Sequence, residues 1–297
     1  MTDNIFVSIV GRPNVGKSSL MNRLLGEKIA IVSDKPQTTR NRITGVLTEG
    51  ETQYVFIDTP GLHKPKSKLG KFMVRQIGDS VADVDAIVLV TECFGKITEA
   101  EHQLVESIKS NGAPSLLVVN KVDTLENKED MLAKIAAFSQ LHDFDAVIPI
   151  SALKGDGVNI LLKELKPFCV EGEHFFPDDT LTDQPDRAVA AELIREKLLR
   201  NLRDEIPHGT AVMIELFRER DDAEMVDIEA TIVCEREAHK GIIIGKGGAM
   251  LKKILTEARR DIERFLGVKV NLQCWVKVRE GWRDSDAQLK NFGFRDE

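Results

Sequence analysis

The stretch Gly11-Arg12-Pro13-Asn14-Val15-Gly16-Lys17-Ser18 constrains the fold more than any other part of the chain. Its spacing, G-x-x-x-x-G-K-S, is that of the phosphate-binding loop of nucleoside triphosphatases. The apolar run Ile5–Val10 before it predicts a buried strand, and the spacing of Ser19–Leu25 predicts a helix that ends at Gly26. A strand, a glycine-rich turn and a helix in this order aim backbone N–H groups at a phosphate. The alternative is a chance match in an ordinary strand–turn–helix.

The residue types in this loop suit phosphate and magnesium chemistry. Gly11 and Gly16 permit close approach of the backbone to a phosphate, and the Lys17 ammonium can reach the β- and γ-phosphates. The Ser18 hydroxyl can bind Mg²⁺. The predicted phosphate-binding residues are Gly11, Arg12, Pro13, Asn14, Val15, Gly16, Lys17, Ser18 and Ser19.

Composition places the chain among globular proteins with two domains. With 297 residues, 30% charged and 42% hydrophobic, it has room for a sizeable core. No apolar run approaches the roughly 18 residues that a membrane span needs, and no signal peptide is visible. The four scattered cysteines, Cys93, Cys169, Cys234 and Cys274, predict buried free thiols in a reducing compartment, the cytoplasm.

Charge divides the chain into two parts. The net charge of −7 belongs to residues 1–186, whereas residues 187–297 hold 21 basic and 21 acidic side chains. Between Lys240 and Arg260 six side chains are basic and only Glu257 is acidic. A local basic face favours phosphate contact, although most charge runs are simply solvated helix faces.

Residues 1–167 alternate short apolar runs with amphipathic stretches. The pattern predicts a doubly wound, mostly parallel α/β sheet with one early antiparallel strand pair. Residues 171–187 are acidic, contain two prolines and lack periodicity, which predicts a linker. A smaller α/β part follows, with a helix near 187–204, strands near 211–217 and 226–235, a glycine-rich turn, a helix near 248–265 and a strand near 268–279. The predicted domains are 1–172 and 187–281, with a linker 173–186 and a C-terminal tail 282–297.

Three further motifs follow predicted strands of the first domain. In Asp58-Thr59-Pro60-Gly61 the carboxylate can hold Mg²⁺ through water, and the Gly61 N–H can meet a γ-phosphate. In Asn120-Lys121-Val122-Asp123 the Asp123 carboxylate can pair with the adjacent N1–H and N2–H₂ donors of guanine, which adenine lacks. In Ser151-Ala152-Leu153-Lys154 a backbone N–H can support the guanine O6. The alternative interpretation of Asn120-Lys121-Val122-Asp123 is an Asx turn that begins a helix. The residues of these motifs that are predicted to bind the nucleotide, together with the neighbouring leucine, are Asp58, Thr59, Pro60, Gly61, Leu62, Asn120, Lys121, Asp123, Ser151, Ala152 and Leu153.

The polar stretch 35–42 predicts a switch loop that a triphosphate orders. Its candidate residues are Gln37, Thr38, Thr39, Arg40 and Asn41. Either threonine can complete a Mg²⁺ shell, and spacing does not decide between Thr38 and Thr39.

The order and the amino-acid sequences of these motifs resemble those of the Era family of translation-factor-related GTPases. The matching segments are GRPNVGKSSLMN (11–22), PQTTR (36–40), DTPGLH (58–63), NKVD (120–123) and SALK (151–154). The resemblance implies a P-loop GTPase domain that uses GTP, GDP and Mg²⁺, with Ser18, Thr39 and Asp58 at the metal. Leu62 stands where Ras-like enzymes carry a glutamine, which predicts slow intrinsic turnover. Relatives with asparagine at Asn14 often use K⁺ beside the phosphates; a purely structural role for Asn14 is equally open.

The stretch 241–248 contains G-x-x-G at Gly245-Lys246-Gly247-Gly248. With the preceding isoleucines, the basic helix and the final strand, it resembles a type II KH domain, which holds single-stranded nucleic acid. The predicted RNA-binding residues are Ile242, Ile243, Ile244, Gly245, Lys246, Gly247, Gly248, Lys252 and Lys253.

The family resemblance implies binding to the 3′ end of small-subunit ribosomal RNA and a role in maturation of the 30S ribosomal subunit. Relatives are known to associate peripherally with the membrane, but no anchor is visible in this sequence. A monomer is the expected oligomeric state. One rival is a signalling switch whose second domain is a protein or membrane adaptor. Another is a GTP-dependent RNA-modifying enzyme, for which the sequence offers no second catalytic centre. No side chain is identified as a general base.

Overall fold

The computed structural model describes residues 2–62, 65, 67–82, 84–221 and 224–294. The chain forms two compact units. The first comprises Met1–Ala30, Thr39–Lys64 and Met73–Asp183, and the second comprises Ile31–Thr38, Pro65–Phe72 and Gln184–Glu297. His63, the last residue of the D-T-P-G-L-H segment, and the end of the predicted tail lie outside the described residues.

The first part of the chain forms a seven-stranded sheet flanked by helices. Its strands are β1 (Asp3–Gly11), β2 (Ile43–Glu49), β3 (Thr52–Asp58), β4 (Ala86–Glu92), β5 (Ser115–Asn120), β6 (Ala146–Pro149) and the two-residue β7 (Val170–Glu171). Its helices are α1 (Lys17–Leu25), α2 (Lys68–Ala82), α3 (Glu99–Asn111), α4 (Lys128–Ser139) and α5 (Val158–Leu165).

The strand order is β2-β3-β1-β4-β5-β6, and β7 pairs with β1. Neighbours from β3 to β6 are parallel, and β2 is antiparallel to β3. The strands β1, β4 and β5 are almost wholly buried because helices cover the sheet; side chains of α2, α3 and α4 share one core with them. The predicted doubly wound sheet with one early antiparallel pair is therefore confirmed.

The segment 173–183, predicted as linker, packs along the strands of the first unit. The Phe176 backbone N–H and C=O bond to the Gln53 side chain at 3.0 and 2.9 Å. The Leu181 carbonyl accepts a hydrogen bond from the Val46 N–H at 2.9 Å. Because β2 is an edge strand, the bond to Leu181 occupies a Val46 N–H that would otherwise face solvent.

The second part of the chain forms a three-stranded sheet with helices on one face. Its elements are α6 (Asp186–Asn201), β8 (Ala211–Glu219), β9 (Met225–Cys234), α7 (Glu237–Ile244), α8 (Ala249–Leu266), β10 (Lys269–Val278) and α9 (Asp286–Asn291). The order is β10-β9-β8, with β9 parallel to β10 and antiparallel to β8. This order of elements agrees with the predicted type II KH arrangement.

Helix α7 corrects the sequence-based expectation of a simple turn before α8. Glycine at Gly241 lowers helix propensity, so the local pattern argued against a helix. The helix forms because Ile243 is fully buried in the core that α6, α8 and the sheet share. Tertiary burial thus overrides a weak local preference.

Candidate functional site

The phosphate-binding loop connects β1 to α1 and is held in place by close backbone contacts. Gly16 has φ +100°, and a Cβ there would lie 2.2 Å from the Asn120 side chain. A Cβ on Gly61 would lie 2.5 Å from the Pro13 backbone N. Glycine is required at both positions, since no larger residue fits between these segments.

Lys17 is buried at the first residue of α1. Its Nζ donates to the carbonyl oxygens of Gly11 and Arg12, each at 3.1 Å. Burial lowers the pKa of Lys17 to about 8, although the nearby Asp58 carboxylate opposes this shift. Burial also raises the pKa of Asp58, against the attraction of Lys17. The site therefore holds a desolvated cation beside the loop that faces phosphate.

Three side-chain oxygens meet next to Lys17. The Ser18 hydroxyl donates to Asp58 Oδ2 at 2.7 Å, Thr39 Oγ1 lies 3.3 Å from the same oxygen, and the two hydroxyls are 3.0 Å apart. Asp58 Oδ1 is buried and has no hydrogen-bond partner among the described residues. Hydroxyl and carboxylate oxygens are the donors that Mg²⁺ prefers, so this set fits a magnesium ion.

The structure distinguishes the two candidate threonines. Thr39 faces Ser18 and Asp58, whereas the Thr38 hydroxyl donates to the Lys35 carbonyl at 2.7 Å. Arg40 is buried, and Gln37 adopts φ +60°. Asn41 is partly buried, and its Oδ1 has no hydrogen-bond partner among the described residues. Of the predicted switch residues, Thr39 contributes its hydroxyl to the oxygen cluster.

Residues 59–62 follow Asp58 and contact β1 and the phosphate-binding loop through the Thr59 hydroxyl and the Leu62 backbone. Thr59 is buried and its hydroxyl donates to the Ile9 carbonyl at 2.9 Å. Pro60 is buried, and the Leu62 N–H donates to the Gly11 carbonyl at 3.3 Å. The partly buried Leu62 side chain packs against the core of α2, α3 and α4.

Asn120 connects the phosphate-binding loop to the segment after β6. Its Nδ2 donates to the Val15 carbonyl at 2.8 Å, and its Oδ1 accepts from the Ala152 N–H at 3.0 Å. The Ser151 hydroxyl donates to Asp123 Oδ1 at 2.6 Å. Leu153 is 75% exposed. The three loops predicted from separate motifs therefore form one connected surface.

Two contributors to this surface were missed by sequence reasoning. Arg23 of α1 donates from Nε to the Ala152 carbonyl at 3.2 Å and also contacts the Leu153 carbonyl. Glu92 at the end of β4 pairs with Arg12 and Lys121 at 2.7 and 2.5 Å. Neither residue belongs to a recognised motif, and no signal in a single sequence identifies them.

The G-x-x-G turn joins α7 to α8 in the second unit. Gly245, Gly247 and Gly248 have φ +73°, +60° and +80°. A Cβ on Gly245 would lie 2.7 Å from the Met250 Cβ. Lys246 is exposed at this turn. The turn therefore presents backbone and one cation to solvent, as close approach of a nucleic-acid backbone requires.

The prediction that all three isoleucines line an RNA groove is wrong for Ile243. Its side chain is 0% exposed and belongs to the hydrophobic core, whereas Ile242 is 49% exposed and Ile244 is partly buried. Three consecutive residues of a helix point in different directions around its axis, so these three isoleucines cannot all line one groove.

A groove of about 480 Å³ runs along α8 from the G-x-x-G turn. Partly buried leucines form its apolar surface, and Lys252 and Arg259 are its exposed cations. The lining residues are Gly248, Leu251, Lys252, Leu255, Thr256, Arg259 and Leu272. Sequence reasoning identified Gly248 and Lys252 but missed the leucines. For Leu251 and Leu255 the i, i+4 spacing on an amphipathic helix was the available signal, whereas Leu272 comes from β10.

Expectations from the sequence also concern the cysteines and membrane-spanning segments. The four cysteines are free thiols; Cys93 and Cys234 are buried, and Cys169 and Cys274 are partly buried. Across the part of the chain that the structure describes, no helix combines the length and apolar composition needed to cross a bilayer.

Two sequence families match the chain. Residues 6–121 match the family described as 50S ribosome-binding GTPase, and residues 205–283 match the KH domain. The GTPase Era of Clostridioides difficile (strain 630) is 52% identical over 291 residues, which are 98% of each chain. The GTPase Era of Geobacter metallireducens is 49% identical over 298 residues, 99% of this chain and 100% of the relative.

Two solved structures superimpose on nearly the whole chain. One is Era in complex with MgGDPNP and nucleotides 1506–1542 of 16S ribosomal RNA, with a TM-score of 0.95, 37% identity and 100% coverage of both chains. The other is a variant of Aquifex aeolicus Era bound to GDP·AlF4⁻, with a TM-score of 0.95, 38% identity and coverage of 99% and 100%.

Proposed function

The chain belongs to the GTPase Era family, and we propose on that basis that it is a GTP-hydrolysing switch that binds ribosomal RNA through its KH domain. The observation that carries the nucleotide part is the convergence of Ser18, Thr39 and Asp58 beside the buried Lys17. The RNA is single-stranded and comes from the 3′ end of small-subunit ribosomal RNA, and the process is 30S subunit maturation.

The residues of the first unit support hydrolysis by electrostatic stabilisation. Water attacks the γ-phosphate in line, while the N–H groups of the phosphate-binding loop and Lys17 stabilise the developing charge. Bound Mg²⁺ neutralises charge on the phosphate oxygens; Ser18 and Thr39 would hold it directly, and Asp58 through water. Asp123 selects guanine through its two acceptor oxygens.

The proposal includes the domain boundaries 1–172, 173–186, 187–281 and 282–297, which rest on composition and periodicity, and the remaining site residues, which rest on their motifs. The K⁺ contact of Asn14 rests on the family resemblance. A cytoplasmic location, peripheral membrane association and a monomeric state also remain predictions.

The RNA-binding part is tested by reversing charge in the groove. In the full chain, Lys246→Glu with Lys252→Glu places two carboxylates where phosphates would lie, without changing the positive-φ glycines. The matched control is Lys269→Glu with Lys277→Glu, because these exposed lysines lie on the face of β10 that points away from Leu272 and the core. Both variants change the net charge equally.

The measurement is fluorescence anisotropy with a labelled RNA that carries the 3′ end of small-subunit ribosomal RNA. We expect the groove variant to lose more than about tenfold in affinity and the control to change less than about twofold. Loss of two phosphate contacts should flatten the slope of log K against log salt by about 1.4. If the folded groove variant binds like the parent, this RNA site is refuted and the adaptor function becomes the better explanation.

A further inference from the structure

The carboxylate of Glu92 lies between the phosphate-binding loop and the N-K-V-D segment. Its Oε2 accepts a hydrogen bond from Arg12 Nη2 at 2.7 Å, and its Oε1 pairs with Lys121 Nζ at 2.5 Å. Glu92 is the last residue of β4 and lies opposite Asn120 of β5, while β1 flanks β4 on the other side. One acidic side chain therefore joins the two loops that follow the neighbouring strands.

The backbone of Lys121 is fixed independently of this ion pair. Lys121 adopts φ +67°, a left-handed conformation that is disfavoured for residues other than glycine. Its carbonyl oxygen accepts hydrogen bonds from the Thr124 N–H at 2.9 Å, the Thr124 hydroxyl at 2.8 Å and the Cys93 thiol at 3.2 Å. With the backbone held, the ion pair with Glu92 determines where the ammonium group lies.

Arg12 is held from its other side by Glu101. The Arg12 Nε lies 3.3 Å from Glu101 Oε1, and the Glu101 side chain is 0% exposed. Burial raises the pKa of Glu101, but the hydrogen bonds from Thr91 and Thr98 and the charge of Lys134 outweigh burial and lower it. Glu101 is therefore charged at neutral pH, and Arg12 bridges it to Glu92.

We propose that Glu92 is a positioning residue for guanine-nucleotide retention, an inference that rests on the proposed function. By pairing with both Lys121 and Arg12, it fixes the base-binding segment relative to the phosphate-binding loop. The side chains of Glu92, Arg12 and Lys121 are 19%, 25% and 33% exposed, so solvent screens these pairs only in part. Without the carboxylate, two cations face one another and repel, and the two loops lose their common anchor.

The test substitutes Glu92→Gln in the full chain. Glutamine keeps the length of the side chain but offers one neutral acceptor to two cations. The matched control is Glu106→Gln, which removes a carboxylate that pairs with Lys109 at 2.7 Å on the exposed face of α3. The measurement is the dissociation rate of fluorescent GDP by stopped flow, with kcat and KM for GTP measured on the same samples.

We expect Glu92→Gln to release GDP about tenfold faster and to raise KM with kcat unchanged, because the oxygen cluster at Asp58 is not altered. The control should match the parent. A double-mutant cycle with Arg12→Gln should show that most of the effect of Glu92→Gln disappears when Arg12 is already changed. A merely structural role would produce additive effects and a lower melting temperature instead.

The outcomes separate this inference from the proposed function. A parent chain that does not bind fluorescent GDP refutes the nucleotide switch itself. If the parent binds GDP and Glu92→Gln releases it within twofold of the parent rate, only the role of Glu92 is refuted. Additive effects in the cycle refute that role as well, because they show that Glu92 does not act through Arg12.

Discussion

Substitution of Gly61 by alanine should separate GTP hydrolysis from GDP binding. The added Cβ would lie 2.5 Å from the Pro13 N, 2.6 Å from its Cα and 2.9 Å from its Cδ. All three atoms belong to a backbone or a rigid ring, so rotation of a side chain cannot relieve the overlap. Since ordinary contacts begin near 3.4 Å, the D-T-P-G segment and the phosphate-binding loop must separate by roughly 0.9 Å.

This separation acts at the γ-phosphate end of the site. The proposed function has the Gly61 N–H meet the γ-phosphate, and the Leu62 N–H donates to the Gly11 carbonyl at 3.3 Å, so widening the gap between the segments would weaken both contacts. A misplacement of about 1 Å commonly costs about 100-fold in rate. We therefore expect kcat to fall about 100-fold, while GDP affinity falls only a few-fold because GDP lacks the γ-phosphate.

The assay combines single-turnover GTP hydrolysis with titrations of fluorescent GDP and a non-hydrolysable GTP analogue. Gly78→Ala is the matched control, because a Cβ there meets no atom within 4 Å and the residue lies inside α2. Alanine inside a helix should raise the free energy of unfolding by about 0.8–1 kcal/mol and leave hydrolysis intact. A Gly61→Ala protein that hydrolyses GTP at the parent rate would refute the steric argument.

Three further predictions concern the nucleotide site. Asp123→Asn should weaken GTP binding by about 2–4 kcal/mol and shift preference toward xanthine nucleotides, and unchanged affinity in calorimetry would contradict the assignment. Because burial lowers the pKa of Lys17 to about 8, GDP binding at pH 8.5 should be accompanied by proton uptake as phosphate restores the charge, measured calorimetrically in two buffers. If Asn14 binds K⁺ beside the phosphates, replacing K⁺ by Na⁺ should slow GTP turnover, and equal rates in both salts would remove the ion from the mechanism.

The sequence by itself determined the chemistry of the nucleotide site and the order of the elements. The residues from Gly11 to Ser18 act through the local geometry of a strand, a turn and a helix, and this geometry depends on near neighbours in the chain. Buried parallel strands are recognisable because burial on both faces demands continuous apolar runs, as in Ala86–Glu92 and Ser115–Asn120.

Only the tertiary structure decided which residues meet across the chain. Spacing left Thr38 and Thr39 equivalent, and the contact of Thr39 with Ser18 and Asp58 distinguishes them. The Ile243 side chain enters the core because helix α7 forms there, which the local pattern did not favour. Glu92 meets Arg12 across 80 residues because β4 lies beside β1 in the sheet. Such contacts depend on strand order and on burial summed over distant segments, and neither quantity is local to a motif.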